Sequence, residues 1–376
     1  MIYFDNSATS YPKPLCVKTA YAKAFAAYSF NSGRGGYRAS LKAAGKIYEV
    51  REKLGKMFSC NAENIAFTKN CTEALNYAIK GSVRKDCHII ISSLEHNSVS
   101  RVVEKLKNDG ICDYSIVPYN RDLYKTVASF KKAVRENTTV IICTFASNVF
   151  GVMMPIKEIG AFCRERGIRF IVDAAQGAGL YPINMKDSCI DILCAPGHKS
   201  IMAPMGTGFI ALNDGVKLNT VIEGGTGSKS LSLVQPESYP DRLESGTLNN
   251  SGIIAMGAAV DYIMRCGMEA LYEAELGLVK YMYSALSDIN AIKLYTDYPE
   301  ESRSMPVLSF NCKNYSSEKT ARMLSEYNIC TRAGYHCAPL AHRHFNTIDR
   351  GTVRLSPGCF NTKKECDRFI NVVKKL

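Results

Sequence analysis

Three groups in this chain have the residue types for chemistry. Lys199 ends the stretch Cys194-Ala195-Pro196-Gly197-His198-Lys199, and Asp173 lies upstream in Val172-Asp173-Ala174-Ala175-Gln176. A lysine amine condenses with an aldehyde, and a carboxylate can keep a pyridine nitrogen protonated. The pair therefore proposes a lysine in Schiff-base linkage to pyridoxal 5'-phosphate. A strand-end aspartate capping a turn and a surface lysine would serve a purely structural reading of the same residues. The third group is a thiol. Arg332-Ala333-Gly334-Tyr335-His336-Cys337-Ala338-Pro339 sets Cys337 in a Gly/Pro-bounded loop beside a histidine and near an arginine. Cationic neighbours favour a thiolate and so make a nucleophile. His336, Cys337, His342 and His344 also admit a metal reading, but their spacing matches no common zinc template. Arg354, in Val353-Arg354-Leu355-Ser356, is a fork-shaped donor suited to an amino-acid carboxylate.

These groups need elements to hold them. Ile168–Val172 and Asp191–Ala195 read as short buried strands that end close to Asp173 and Lys199. Ile65–Thr68, His88–Ser92, Val140–Thr144 and Gly206–Leu212 read as further strands, with helical patterns between most of them. Asn70-Cys71-Thr72-Glu73 opens a helix that stops at Gly81 and fits a capping box. The same helix N-terminus offers free N–H groups and the Thr72 hydroxyl to a phosphate. Alternating strands and helices predict an α/β fold with a mainly parallel sheet and ligands at the carboxyl ends of its strands. Thr72, His96, Asn148, Asp173, Gln176 and Lys199 all fall just past predicted strands, which favours the cofactor reading over the structural one. Helices are expected over Leu15–Tyr28 and over Ala39–Phe58, the second with Leu41, Ala44, Ile47, Leu54 and Met57 on one face. Asn31-Ser32-Gly33-Arg34-Gly35-Gly36 reads as a loop. A long helical pattern starts near Gly252, Val307–Cys312 and Asn328–Thr331 read as strands, and an amphipathic helix over Thr362–Lys375 closes the chain.

Composition narrows the class. A length of 376 residues suggests two domains, and 46% hydrophobic with 22% charged residues is ordinary globular material. No apolar run reaches membrane-spanning length, and the first residues lack signal-peptide architecture. Fifteen cysteines in that context predict reduced thiols in a cytoplasm, not a disulfide framework. The net charge of +12 is dispersed, without a basic run or an aromatic-basic motif, so it argues against nucleic acid and suits anionic substrates or acidic protein partners.

With these motifs in order, the chain resembles the cysteine desulfurases and selenocysteine lyases of the class V aminotransferase group, fold-type I pyridoxal-phosphate enzymes. The resemblance rests on Tyr3-Phe4-Asp5-Asn6-Ser7-Ala8-Thr9, Asn70-Cys71-Thr72-Glu73-Ala74, Glu95-His96, Ser147-Asn148-Val149-Phe150-Gly151, Glu244-Ser245-Gly246-Thr247 and the motifs above. The cysteine loop is similar to that of the group II, SufS-like branch. The resemblance implies a segment 1–14 packing with the small domain, a large cofactor-binding domain 15–250 and a small C-terminal domain 251–376. It implies that Lys199 holds the cofactor and moves the Cα proton, that Asp173 pairs with the ring nitrogen and that His96 stacks on the ring. Gln176 and Asn148 would flank the ring oxygen, while Thr72, His198 and the turn at Cys71 would hold the phosphate. Thr247 would reach the phosphate of a neighbouring subunit, making a homodimer. Arg354 would grip the carboxylate of L-cysteine, and Cys337 would take its sulfur as a persulfide for an acceptor protein, in sulfur metabolism such as iron–sulfur cluster assembly. Selenocysteine lyase and an aminotransferase that does not use Cys337 are the alternatives. Pro196 in place of a phosphate-binding serine, Tyr335 in place of a histidine and the His342-Arg343-His344 run depart from the family pattern.

Overall fold

The computed structural model describes residues 1–33 and 35–376, so Arg34 of the glycine-rich loop lies outside the described residues. The chain opens on a two-residue strand, β1 (Ile2–Tyr3), whose partner comes from near the other end of the sequence. Seven strands then form one sheet: β2 (Ile65–Thr68), β3 (Cys87–Ser92), β4 (Cys112–Val117), β5 (Thr138–Thr144), β6 (Arg169–Asp173), β7 (Ile192–Pro196) and β8 (Gly208–Leu212). Their order is β2-β8-β7-β6-β5-β3-β4, and only β8 runs antiparallel to its neighbours. Parallel neighbours need helical crossovers that cover both faces, so these strands carry unbroken apolar runs. Ile89, Ile90 and Ile91 of β3 are all fully buried. The edge strand β4 escapes that criterion because Asp113, Tyr114 and Ser115 are only partly buried.

The helix Arg38–Phe58 packs on the helix Asn250–Cys266 through a stripe rotated from the one expected. Leu41 is 60% exposed, whereas Ser40, Ala43, Ile47, Val50, Leu54 and Met57 are buried. Ser40 hides on the inner face because its hydroxyl donates to the Asn31 carbonyl, a partner that an apolar count cannot see. The long helix expected from Gly252 is two, Asn250–Cys266 and Met268–Ser287. They break at Gly267, whose φ of 81° lies in the region that residues with a Cβ avoid.

A second, antiparallel sheet follows from β9 (Ile292–Leu294), β10 (Leu308–Cys312), β12 (Arg332–Gly334) and β13 (Thr352–Leu355) in the order β12-β13-β10-β9, while β11 (Ile329–Cys330) pairs with β1. Ile2 and Phe4 are buried with Phe310, Leu355 and Phe369 in the core under this second sheet. The helix Lys363–Val373 completes that core, and Thr362 and Glu365 close its start with a reciprocal capping box.

Candidate active site

Strands β2, β3, β5, β6 and β7 end at one edge of the large sheet, where diverging crossovers leave a crevice. Each delivers a polar residue there, and Thr72, His96, Asn148, Asp173, Gln176 and Lys199 line a single cavity of about 240 Å3. Cys71 and His198 join them, and Arg332, His336, Cys337 and Arg354 close it from the second sheet. Every residue that the resemblance assigns to the site meets here except Thr247, which is exposed and lines a shallow depression with Lys69 and Tyr77; His342 and His344, read as possible metal ligands, do not line the cavity.

The floor is a carboxyl and an amine. Asp173 is buried at the end of β6, where its Oδ1 accepts from the Ala175 N–H at 3.0 Å and the Cys71 thiol at 3.5 Å. Burial raises the Asp173 pKa, and the Ala175 N–H and the charge of Lys199 pull it back. Burial lowers that of Lys199 against the opposing pull of Asp173, so the neutral amine gains ground. The Cys71 thiol is pushed well up by burial and then by Asp173, and stays protonated. His96 caps the helix Asn97–Asn108 by accepting from the Ser98 N–H at Nδ1, 3.1 Å away, which fixes the Nε2–H tautomer. Burial, Lys199 and nearby arginines hold its pKa at about 4, so it is a neutral ring. Beneath it, Glu95 ties β3 to β5 by accepting from the Ser92 hydroxyl and, at 2.8 Å, from the Thr144 N–H. Burial lifts Glu95 to about 8, keeping it protonated at neutral pH.

At one end stands the N-terminus of the helix Cys71–Ser82. Asn70 accepts from the Glu73 N–H at 2.9 Å, but Glu73 reaches back to the Lys69 N–H rather than that of Asn70, so the expected capping box is displaced by one residue. A Cβ on Gly208 would stand 2.8 Å from the Asn70 carbonyl carbon, so only glycine lets β8 pass under this turn. His198 presents a buried Nδ1 that has no partner among the described residues. Burial, then Lys199 and Lys13, hold it at about 4.

At the other end, β12 and β13 set Arg332 directly opposite Arg354 in register. Like charges so placed repel, and Asp5 offsets them by binding Arg354 Nη2 at 2.6 Å. Arg354 is 1% exposed; Nη1 donates to the Asn148 carbonyl at 2.9 Å, and Nε has no partner among the described residues. Cys337 is exposed. Its carbonyl accepts from the Asn97 N–H at 2.7 Å, and that of His336 from Asn148 Nδ2 at 2.8 Å. The loop is thus tied to the segments carrying His96 and Asn148. Asp5, Ser7 and Ala8 were the unexpected participants: Ser7 and Ala8 line the cavity and Asp5 pairs with Arg354. They lie in the Tyr3–Thr9 motif that carries the resemblance, but nothing in that motif assigned them a role at the site.

A sheet with a helix N-terminus, a carboxyl–lysine floor and an arginine-bearing second sheet at one cavity defines a class of protein. The model of the family described as aminotransferase class-V matches residues 2–369, and the chain belongs to that family. It is 32% identical over 371 residues to a probable cysteine desulfurase of Methanothermobacter thermautotrophicus, covering 97% of this chain and 92% of that one. The apo structure of a cysteine desulfurase from Thermococcus onnurineus NA1 superposes with a TM-score of 0.92 at 29% identity, covering 100% and 94% of the two chains. The Escherichia coli cysteine desulfurase CsdA shares the fold, with a TM-score of 0.89 at 22% identity over 99% and 94%.

Proposed function

We propose that this chain is a pyridoxal-phosphate-dependent cysteine desulfurase. One observation carries the reading: an exposed thiol, Cys337, lines the same cavity as Lys199, Asp173 and a nearly fully buried Arg354. The cavity fits the cofactor. Asp173 has only one oxygen engaged among the described residues, leaving the other for a ring N–H. The orphaned His198 Nδ1 and the free N–H groups at Cys71 and Thr72 suit a phosphate. When bound, pyridoxal phosphate supplies an electron sink for charge developing at the substrate Cα.

The residues divide the remaining work. Lys199, made less basic by burial, would hold the cofactor and carry the Cα proton. His96, a neutral ring, would lie against the cofactor, with Gln176 and Asn148 placed to meet its oxygen. Arg354 would offer the Nε–H that has no partner among the described residues to the substrate carboxylate. Cys337 then takes the substrate sulfur: an S–S bond forms on Cys337, the C–S bond breaks, and a C–H bond replaces it in the departing alanine. The short hydrogen-bonded cysteine loop supports a group II-type enzyme that hands its persulfide to an acceptor protein. A homodimer is supported by the exposed Leu231, Leu233 and Val234, which lie on the same chain segment as the exposed Thr247.

Alanine release from L-cysteine by the holoenzyme and by Cys337→Ala tests the reading, with L-selenocysteine run in parallel. Release from L-cysteine should vanish in the variant. Release from selenocysteine alone would make the chain a lyase, and release from neither would point to an aminotransferase.

A further inference from the structure

His336 and Cys337 hold successive φ angles of 51° and 55°, a left-handed pair without glycine. Such backbone persists only where its surroundings over-determine it. The two carbonyl bonds to Asn97 and Asn148 anchor the pair from one side. From the other side stands His342, fully buried on the short helix Pro339–His344. Its ring lies parallel to that of His336, with 12° between planes and centroids 5.9 Å apart. The Tyr335 ring meets it edge-on at 5.6 Å. His342 Nδ1 sits 2.7 Å from Thr347 Oγ1, and the Thr347 N–H donates to the His342 carbonyl at 2.8 Å. Thr347 leads into β13, which carries Arg354. Phe150, two residues past Asn148, contacts the His342 ring edge-on at 5.7 Å. The thiol loop, the approach to Arg354 and the turn of Asn148 thus converge on one imidazole.

We propose that His342 is a positioning residue for sulfur transfer: its ring holds the left-handed pair and so aims the Cys337 sulfur at substrate bound by Arg354. The inference rests on Cys337 being the nucleophile. A flat ring is needed to stack on His336, and a polar ring atom is needed to hold Thr347. An aliphatic side chain would supply neither. His342 itself does not line the cavity, so its effect reaches the reaction only through the loop.

The test uses holoenzyme carrying His342→Ala, His342→Asn or His342→Phe, with two assays. Alanine release from L-cysteine needs the thiol, whereas exchange of the L-alanine Cα–H with D2O needs only the cofactor, Lys199 and Arg354. In His342→Ala, kcat for alanine release should fall about 10²-fold, the cost of a displaced reacting atom. KM and the exchange rate should stay within about twofold of wild type. His342→Phe, which keeps the flat ring, should recover more of kcat than His342→Asn, which keeps only a polar group for Thr347. If His342→Ala does not fold, the Asn and Phe variants carry the same split between the assays. An equal loss in both assays would reduce His342 to a structural residue, and a wild-type kcat would overturn the proposal outright. Cys337→Ala in the same series separates the two readings: if it still releases alanine, the nucleophile assignment fails and this inference with it. If it is inactive while His342→Ala is not, only the positioning role fails.

Discussion

In the proposed reading, Arg354 concentrates the problem of recognising a small zwitterion with a buried cation. A guanidinium this buried is costly unless its charge is met, and burial lowers its pKa while Asp5 opposes the shift. The fork geometry lets one side chain serve Asp5 on Nη2 and the Asn148 carbonyl on Nη1, and would leave Nε for the proposed substrate carboxylate. Lysine, a point donor on a flexible stem, can satisfy Asp5 or the substrate but not both in fixed directions. Arg354→Lys should therefore lower kcat/KM for L-cysteine by about 10²-fold, roughly 3 kcal/mol, mostly through KM. Steady-state kinetics on the holoenzyme checks this, and an unchanged KM would remove Arg354 from carboxylate binding.

The element that couples the two sheets at the site is the extended N-terminal segment. It pairs with β11, contributes Asp5 to Arg354, lines the cavity with Ser7 and Ala8, and then reaches the residue before Lys199. There the His198 carbonyl takes the Ser10 N–H, both hydroxyls of Thr9 and Ser10, and the Lys13 ammonium at 2.7 Å. Burial brings the Lys13 pKa down to about 8, so the ammonium that holds this carbonyl is present at pH 7 and lost above pH 8. Lys13→Met should lower kcat roughly fivefold at pH 7, about one kcal/mol of a charged hydrogen bond. The ratio to wild type should shrink toward one by pH 9, and a ratio constant with pH would count against the strap. Only the family resemblance pointed to this crossing, by implying that segment 1–14 packs with the small domain; the residues alone do not, because pairing Ile2 with Ile329 has no local signal. The large sheet was legible for the opposite reason: buried parallel strands such as β3 and β6 are continuous apolar runs, and the site residues follow at their ends. The polar edge strand β4, the rotation of Leu41 outward and the facing of Arg332 with Arg354 depend on neighbours remote in sequence, which periodicity does not report.

At the scale of the whole molecule, the same burial that tunes the site sets how stability varies with pH. All six histidines of the chain are held below the usual imidazole range, in each case chiefly by burial. An unfolded chain takes up protons on these rings below about pH 6.5, whereas His96, His198 and His342 resist until about 4 in the folded state. Stability is therefore lost as pH falls below the unfolded value. Glu95 and Glu275 act with the other sign: each is buried and raised to about 8, so the folded state keeps a proton that the unfolded chain gives up above its ordinary carboxyl range. Their contribution is lost as pH rises toward 8. Below pH 6.5 the six rings and the raised carboxyls, which also include Asp173, Asp191 and Glu244, act with opposite signs; above it the rings no longer titrate while Glu95 and Glu275 still do, so stability should fall between pH 6.5 and 8. Glu275 accepts from the Cys359 N–H and does not line the cavity, so Glu275→Gln removes one raised carboxyl without touching the site. Over the window from pH 6.5 to 8, one such proton is worth about 2 kcal/mol. The fall in the thermal midpoint of the holoenzyme across that window should be smaller in Glu275→Gln by about 2–4 °C, and the acid limb should steepen, because this carboxyl no longer opposes the rings there. An alkaline limb identical in both proteins would show that Glu275 is ionised in the fold and that its burial does not set the pH response.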